Sequence, residues 1–341
     1  MNSNQRLRPP KGRNLRAELG EFLVGQPEAI EAIVPFVQTF EAGLAPEGRP
    51  AGVFLLLGPT GTGKTKTVES LAAVLHGSEK RLLKVDCAEF QMEHEVAKLI
   101  GAPPGYLGHR ETQPLLTQAR LNAVTSEYSN LSILLLDEIE KAAPSMSRIL
   151  LGVLDKAVLR LGDNSTVNFE RTLIFLTSNL GAREMQQSTQ PGYGFEAALG
   201  ARDEDPSKLS SIGLNSVRRR FSPEFVNRID RIVTYQSLSE EALADIVQHQ
   251  LEDFAQLIED RLGPSAFELY VDAHARVFLL DEGTTALYGA RELKRAMQRH
   301  LFQPLAELVA NGNVPPAATV RITHRGDEPN LRFRIMRPRA A

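Results

Sequence analysis

The stretch VFLLLGPTGTGKT, residues 53–65, decides how this sequence is read. Five unbroken apolar residues stop at Gly58, and the helical pattern that follows puts Val68, Leu71, Ala72 and Leu75 on one face. A strand running through a glycine-rich turn into a helix presents backbone N–H groups to an anion at the helix start. Gly58, Pro59, Thr60, Gly61, Thr62 and Gly63 form the turn, Lys64 supplies a point charge for β- and γ-phosphates, and the Thr65 hydroxyl can ligate Mg²⁺. A chance match to G-x4-G-K-[ST] is expected in only about one chain in a hundred of this length.

Further along, ILLLDE (133–138) ends another apolar run in two acids. Asp137 is expected to hold the metal and Glu138 to polarise an attacking water, and two acids favour hydrolysis over nucleotide storage. TLIFLTSN ends at Asn179, which either hydrogen-bonds the water or the γ-phosphate or is an ordinary turn residue.

Working outward, Val53–Leu57, Leu82–Asp86, Ile133–Asp137, Thr172–Ser178 and Arg231–Tyr235 are candidate strands alternating with amphipathic helices. Continuous rather than alternating apolar runs predict an α/β domain, a parallel sheet covered on both faces. The helical pattern before it begins at Glu28, with Ile30, Ile33, Val34 and Val37 on one face. Gln186–Ser211 is rich in Gln, Ser, Gly, Pro and charge and reads as a long loop or surface excursion. Ser239 is expected to cap a long helix whose apolar face is Leu243, Ile246, Val247, Leu251, Phe254, Leu257 and Ile258. With strands at 267–271, 319–323 and 331–336, this makes a smaller second domain. The expected division is a basic mobile tail over 1–16, with folded structure starting near Leu19, a nucleotide domain over 17–235 and a smaller domain over 236–341.

Composition narrows the function classes. The 341 residues carry a net charge of −3, which speaks against a polyelectrolyte partner such as nucleic acid. The single cysteine, Cys87, excludes a disulfide framework within the chain and fits a reducing, cytoplasmic setting as a small core residue. No apolar run approaches the roughly 20 residues of a membrane span, and the basic amino terminus has no apolar stretch after it.

Seven stretches together resemble the AAA+ ATPases, specifically the ring-forming Clp family: VGQPEAI (24–30), GPTGTGKT (58–65), GAPPGYLG (101–108), ILLLDEIEKA (133–142), TSNLG (177–181), RFSPEFVNRID (220–230) and YGARELKRAM (288–297). The likeness is strongest to the second ATPase module of two-ring members and covers roughly residues 20–325. It implies ATP and Mg²⁺ as ligands, a P-loop parallel sheet sandwiched by helices, a mostly helical lid domain with a few short strands, and a homo-oligomer, expected to be a hexamer, that unfolds or disaggregates polypeptide substrates.

By the same resemblance Val24 and Gly25 pack on adenine, Arg291 reaches the nucleotide's phosphates, Arg228 is a finger inserted into a neighbouring subunit's site, and Tyr106 grips substrate in a central pore. Taken alone, Arg228 reads as a surface ion pair with Asp230 or Glu224, Tyr106 as an aromatic folded onto its own domain, and Arg218–Arg220 as a solvated helix face. Departures temper the match. The chain is expected to be a stand-alone single ring without the family's substrate domain, so adaptors stay open. Pro191-Gly192-Tyr193-Gly194-Phe195 puts Tyr where peptidase-docking loops carry a branched aliphatic residue, which leaves coupling to a ClpP-type peptidase open. Ile212-Gly213-Leu214 matches a helix instead, and GTTAL at 283–287 departs from the family's usual approach to Arg291. The competing reading is a nucleotide-dependent scaffold or switch without threading; a nucleic-acid motor is disfavoured by the balanced charge.

Overall fold

The structure, a computed structural model, describes residues 14–101, 114–189, 206–284, 289–326 and 328–336. The chain divides into two compact units, one running through Gln236 except for Thr60–Thr62, the other comprising Thr60–Thr62 with Ser237 onward.

In the first unit the order is α1 (Leu15–Phe22), α2 (Pro27–Glu41), β1 (Gly52–Leu57), α3 (Lys64–His76), β2 (Leu83–Asp86), α4 (Ala97–Ile100), α5 (Gln118–Ala123), β3 (Ser132–Asp137), α6 (Pro144–Lys156), β4 (Val158–Arg160), β5 (Thr166–Asn168), β6 (Thr172–Ser178), α7 (Ala182–Thr189), α8 (Pro206–Arg220), α9 (Pro223–Val226) and β7 (Arg231–Thr234). Five strands pair in the order β2-β3-β6-β1-β7, every pair parallel. All five expected strands are present, each within a residue of its expected ends.

Both faces of the three central strands are buried, which is why β1, β3 and β6 are largely apolar. Val53, Leu55 and Leu57 of β1, Leu134 and Leu136 of β3, and Ile174 and Leu176 of β6 enter one core with α6 and with Val217 and Phe225. The alternate residues Phe54 and Leu56, Ile133 and Leu135, Leu173 and Phe175 enter the other, against α1, α2 and α3. Phe54 stacks on Phe175 with ring centroids 4.9 Å apart. Leu135 lies mid-strand and fully buried, so Leu135→Ala should cost about 2–5 kcal/mol of this unit's stability, read as a lowered urea midpoint.

Two expectations need correction. Folded structure begins before Leu19: Asn14 caps α1 by accepting from Ala17 N, Leu15 and Leu19 are buried, and Arg16 pairs with Glu31 at 2.8 Å. The basic composition of the segment concealed a short helix with only two apolar anchors. The range 186–211 is not one loop, because α7 enters it and α8 starts within it, anchored by the buried Met185, Leu209 and Val217. Ile212, Gly213 and Leu214 lie in α8. An antiparallel hairpin, β4 with β5, was also not foreseen; it turns where Asn164 takes φ 70°.

In the second unit α10 (Glu240–Leu262) is capped by Ser239, whose hydroxyl accepts from Ala242 N at 3.1 Å. Of its expected apolar face, Leu243, Val247, Leu251 and Ile258 are buried, while Leu257 is exposed. Then follow β8 (Glu268–Val271), α11 (Ala273–Gly283), α12 (Ala290–Met297), a π-helical turn at Gln298–Phe302, α13 (Gln303–Ala310), β9 (Thr319–Thr323) and β10 (Arg332–Met336). Here β9 pairs parallel with β8 and antiparallel with β10. Among the described residues no helix is long and apolar enough to cross a membrane.

Candidate functional site

Parallel pairing brings the carboxyl ends of three strands to one sheet edge: Leu57 is in register with Ser178, and Leu136 with Leu176. Gly58, Asp137, Glu138 and Asn179 therefore emerge side by side, at the edge where open α/β sheets take ligands.

Gly58 turns the chain sharply at φ 143°, and a Cβ there would fall 2.5 Å from the Tyr235 carbonyl oxygen, so only glycine fits. Gly63 caps α3 in the left-handed region at φ 102°, and the Leu23 side chain approaches it. Val24 and Gly25 follow Leu23, between α1 and α2, and Gln26 Nε2 donates to the Gln236 carbonyl at 3.1 Å, tying that segment to the end of β7.

Lys64 is buried, and its ammonium donates to the carbonyls of Gly58 and Pro59, both at 2.7 Å, and to Asn179 Oδ1 at 3.0 Å. A buried ammonium gains strongly when anionic oxygens replace carbonyl and amide acceptors such as these. Asn179 also donates from Nδ2 to Glu138 Oε1 at 3.3 Å, and its backbone N–H donates to Glu140 Oε1 at 3.0 Å. The amide thus joins the phosphate-loop lysine to the acid expected to polarise water.

Glu138 is held in a left-handed conformation, φ 56°, ψ 48°, rare for a residue with a side chain and characteristic of functional turns. Its N–H donates to Thr177 Oγ1 at 3.0 Å, and the same hydroxyl donates to Asp137 Oδ1. Lys84 of β2 pairs with Asp137 Oδ2 at 3.1 Å, and Lys141 with Glu138 Oε2. Glu138 in turn raises the Lys141 pKa, chiefly through that hydrogen bond.

Arg220 corrects another expectation. It is exposed, as expected of a solvated face, but not free: its guanidinium donates to the Glu140 carbonyl at 2.8 and 3.1 Å and to the Ala142 carbonyl at 3.1 Å, clamping the turn after Glu138. Thr177, Lys84 and Lys141 are the residues that reading the sequence missed. Thr177 was the one within reach, two positions before Asn179 in the same TSN stretch.

Cys87 is fully buried, and its thiol pKa is pushed up, first by burial and then by the carboxylates of Asp137, Asp86, Glu140 and Glu138. It is an inert core residue.

The Thr65 hydroxyl at the start of α3 and the half-buried Asp137 carboxylate are hard oxygen donors suited to Mg²⁺, which completes its shell with water and substrate phosphates. Among the described residues no cluster of three or more His, Cys, Asp or Glu side chains forms a metal cage.

Arg228 pairs with Asp155 of α6 at 2.9 Å, both side chains substantially exposed. Asp230, suggested as its partner, instead accepts from Val53 N at 2.8 Å and pairs with Arg49, because it stands beside β1 at the head of β7. Arg291 is exposed in the first turn of α12 in the second unit. Tyr106 and the 191–195 stretch lie outside the described residues.

Comparison with known proteins agrees with this geometry. The family described as "AAA domain (Cdc48 subfamily)" matches residues 49–232, and "C-terminal, D2-small domain, of ClpB protein" matches 238–322. The chaperone protein ClpB of Rhizobium meliloti (strain 1021) is 38% identical over 92% of this chain and 34% of its own length. The ATP-dependent Clp protease ATP-binding subunit ClpC of Staphylococcus aureus (strain USA300) is 36% identical over 92% of this chain and 37% of its own. The chain thus spans about a third of the length of these curated relatives. Among solved structures, S. cerevisiae Hsp104 in complex with casein superposes with a TM-score of 0.79 at 28% identity, covering 94% of this chain and 51% of that one.

Proposed function

The chain belongs to the Clp family of AAA+ ATPases, and on that premise we propose that it is an ATP-driven ring motor that unfolds or remodels proteins by threading polypeptide through a central pore. The observation that carries the reading is the continuous link Lys64–Asn179–Glu138–Lys141 at the sheet edge, which joins a phosphate-binding cation to a base for water.

ATP enters with its β- and γ-phosphates replacing the neutral acceptors of Lys64, while Gly58–Thr65 supply backbone N–H donors and Val24 and Gly25 flank the adenine. Thr65 and Asp137 would hold Mg²⁺, which would supply positive charge against the phosphates. Glu138, released by Lys141, accepts a proton as a water oxygen bonds to the γ-phosphorus. The bond from that phosphorus to the β,γ-bridging oxygen breaks, and ADP leaves with the electron pair. Asn179 orients the water, and Arg228 from a second copy balances the developing negative charge, a role toward the phosphates that the family resemblance also gives Arg291.

Dependence on Arg228 in trans makes hydrolysis conditional on a ring, which we take to be a homohexamer. The match to the casein-bound Hsp104 structure supports polypeptide as the substrate, and the modest net charge speaks against nucleic acid. The likeness to ClpC keeps a ClpP-type peptidase among the candidate partners, beside adaptors. A lone buried thiol fits a reducing compartment such as the cytoplasm.

Tyr106 is assigned to substrate grip. Tyr106→Ala should keep ATP turnover within about twofold and abolish ATP-dependent loss of fluorescence from a tagged fluorescent protein, since removing an aromatic ring at the pore leaves the phosphate site unaltered. Unchanged unfolding would remove that role. A wild-type chain that hydrolyses ATP and assembles, yet never unfolds substrate, would favour the scaffold reading.

A further inference from the structure

Thr67 and Tyr235 take no part in the chemistry above, yet they are joined to the phosphate loop by a buried hydrogen-bond chain. The Thr67 hydroxyl lies 3.0 Å from the Gly63 carbonyl and 2.7 Å from the Tyr235 hydroxyl, and both side chains are essentially inaccessible to water. A carbonyl only accepts, so the single Thr67 proton points at Gly63 and Tyr235 must be the donor to Thr67. Burial pushes the phenol pKa up, more than the Thr67 hydrogen bond pulls it down, so the donor keeps its proton at any physiological pH.

The chain therefore runs Tyr235 to Thr67 to Gly63. The Gly63 carbonyl also accepts the Thr67 N–H at 2.9 Å, so two donors fix the tilt of the peptide joining Gly63 to Lys64. That peptide's N–H is the first of α3, at the left-handed glycine cap where the loop meets the helix. Tyr235 is itself anchored at its backbone: its N–H donates to the Leu57 carbonyl at 2.6 Å, and its own carbonyl packs against Gly58. The same residue thus touches the first glycine of the loop and, through Thr67, the last.

We propose that Tyr235 is a positioning residue for the phosphate loop, its hydroxyl acting through Thr67 to aim the Gly63–Lys64 peptide N–H at a nucleotide polyphosphate. This rests on the nucleotide-binding reading above and deepens it. A Phe would fill the same volume, so the hydroxyl can be removed without opening a cavity.

The test measures the ADP dissociation constant of the full chain by calorimetry, alongside the melting temperature of the nucleotide-free protein. Tyr235→Phe and Thr67→Val should each weaken ADP binding about five- to tenfold. Their combination should weaken it no further than either alone, because both break one chain. Thr67→Ser, which keeps the hydroxyl, should bind like wild type. Tyr235→Phe and Thr67→Val proteins that melt lower but bind ADP as wild type does would show a purely structural role and overturn the proposal while leaving nucleotide binding intact. Wild-type protein that fails to bind ADP would overturn both. If Tyr235→Phe does not fold, the comparison of Thr67→Val with Thr67→Ser decides the matter by itself.

Discussion

Glu138→Gln should lower the turnover number for ATP by roughly a hundred- to ten-thousandfold while leaving ATP affinity within a few-fold of wild type. Gln keeps the shape of the side chain, and the unusual backbone at φ 56° is held by the Thr177 hydroxyl and the Arg220 clamp rather than by the carboxylate. The amide can still accept from Asn179 but is a far weaker proton acceptor than a carboxylate. Lys141 loses its partner, but it is partly exposed and water can replace the carboxylate. The loss therefore falls on chemistry and not on folding. Steady-state phosphate release with parallel fluorescent-ATP titration checks this; turnover near that of wild type would remove Glu138 from its role.

Arg228→Ala should reduce turnover by roughly a thousandfold or more, the scale of arginine fingers, with nucleotide still bound. The alternative effect is loss of the Arg228–Asp155 ion pair. Both partners are substantially exposed, and such pairs contribute about 0–1 kcal/mol, too little to unfold a unit with two extensive cores. The two explanations separate cleanly by experiment. Asp155→Asn breaks the same pair but leaves the guanidinium, so it should retain most activity. If Asp155→Asn and Arg228→Ala are equally inactive, the pair itself, rather than a finger, is what matters.

The centre of the five-stranded sheet was legible because burial on both faces imposes unbroken apolar runs, and β1, β3 and β6 each divide residue by residue between two cores. The elements that escaped had little apolar signal: α1 rests on Leu15 and Leu19, and in β4 and β5 only the central residue is buried. In the site, Gly58–Thr65, Asp137, Glu138 and Asn179 could be found because each stands within a few residues of the end of an apolar run. Their supports could not. Lys84 meets Asp137 from a neighbouring strand, and Arg220 reaches carbonyls 78 and 80 positions away, contacts that only sheet order and helix packing create. Arg220 was misread for that reason: a run of three arginines at the end of a helix is ordinarily solvated, and nothing local marks the third as a clamp.

The central claim is that a phosphate site built on one chain is completed by Arg228 of another. Mixing Glu138→Gln protein with Arg228→Ala protein tests it most directly. Each should be nearly inactive alone, but in a randomly mixed ring about a quarter of interfaces would pair an intact Glu138 with an intact Arg228. Steady-state ATP turnover of the mixture should rise well above the sum of the two variants. A mixture no more active than its parts would contradict a finger supplied in trans.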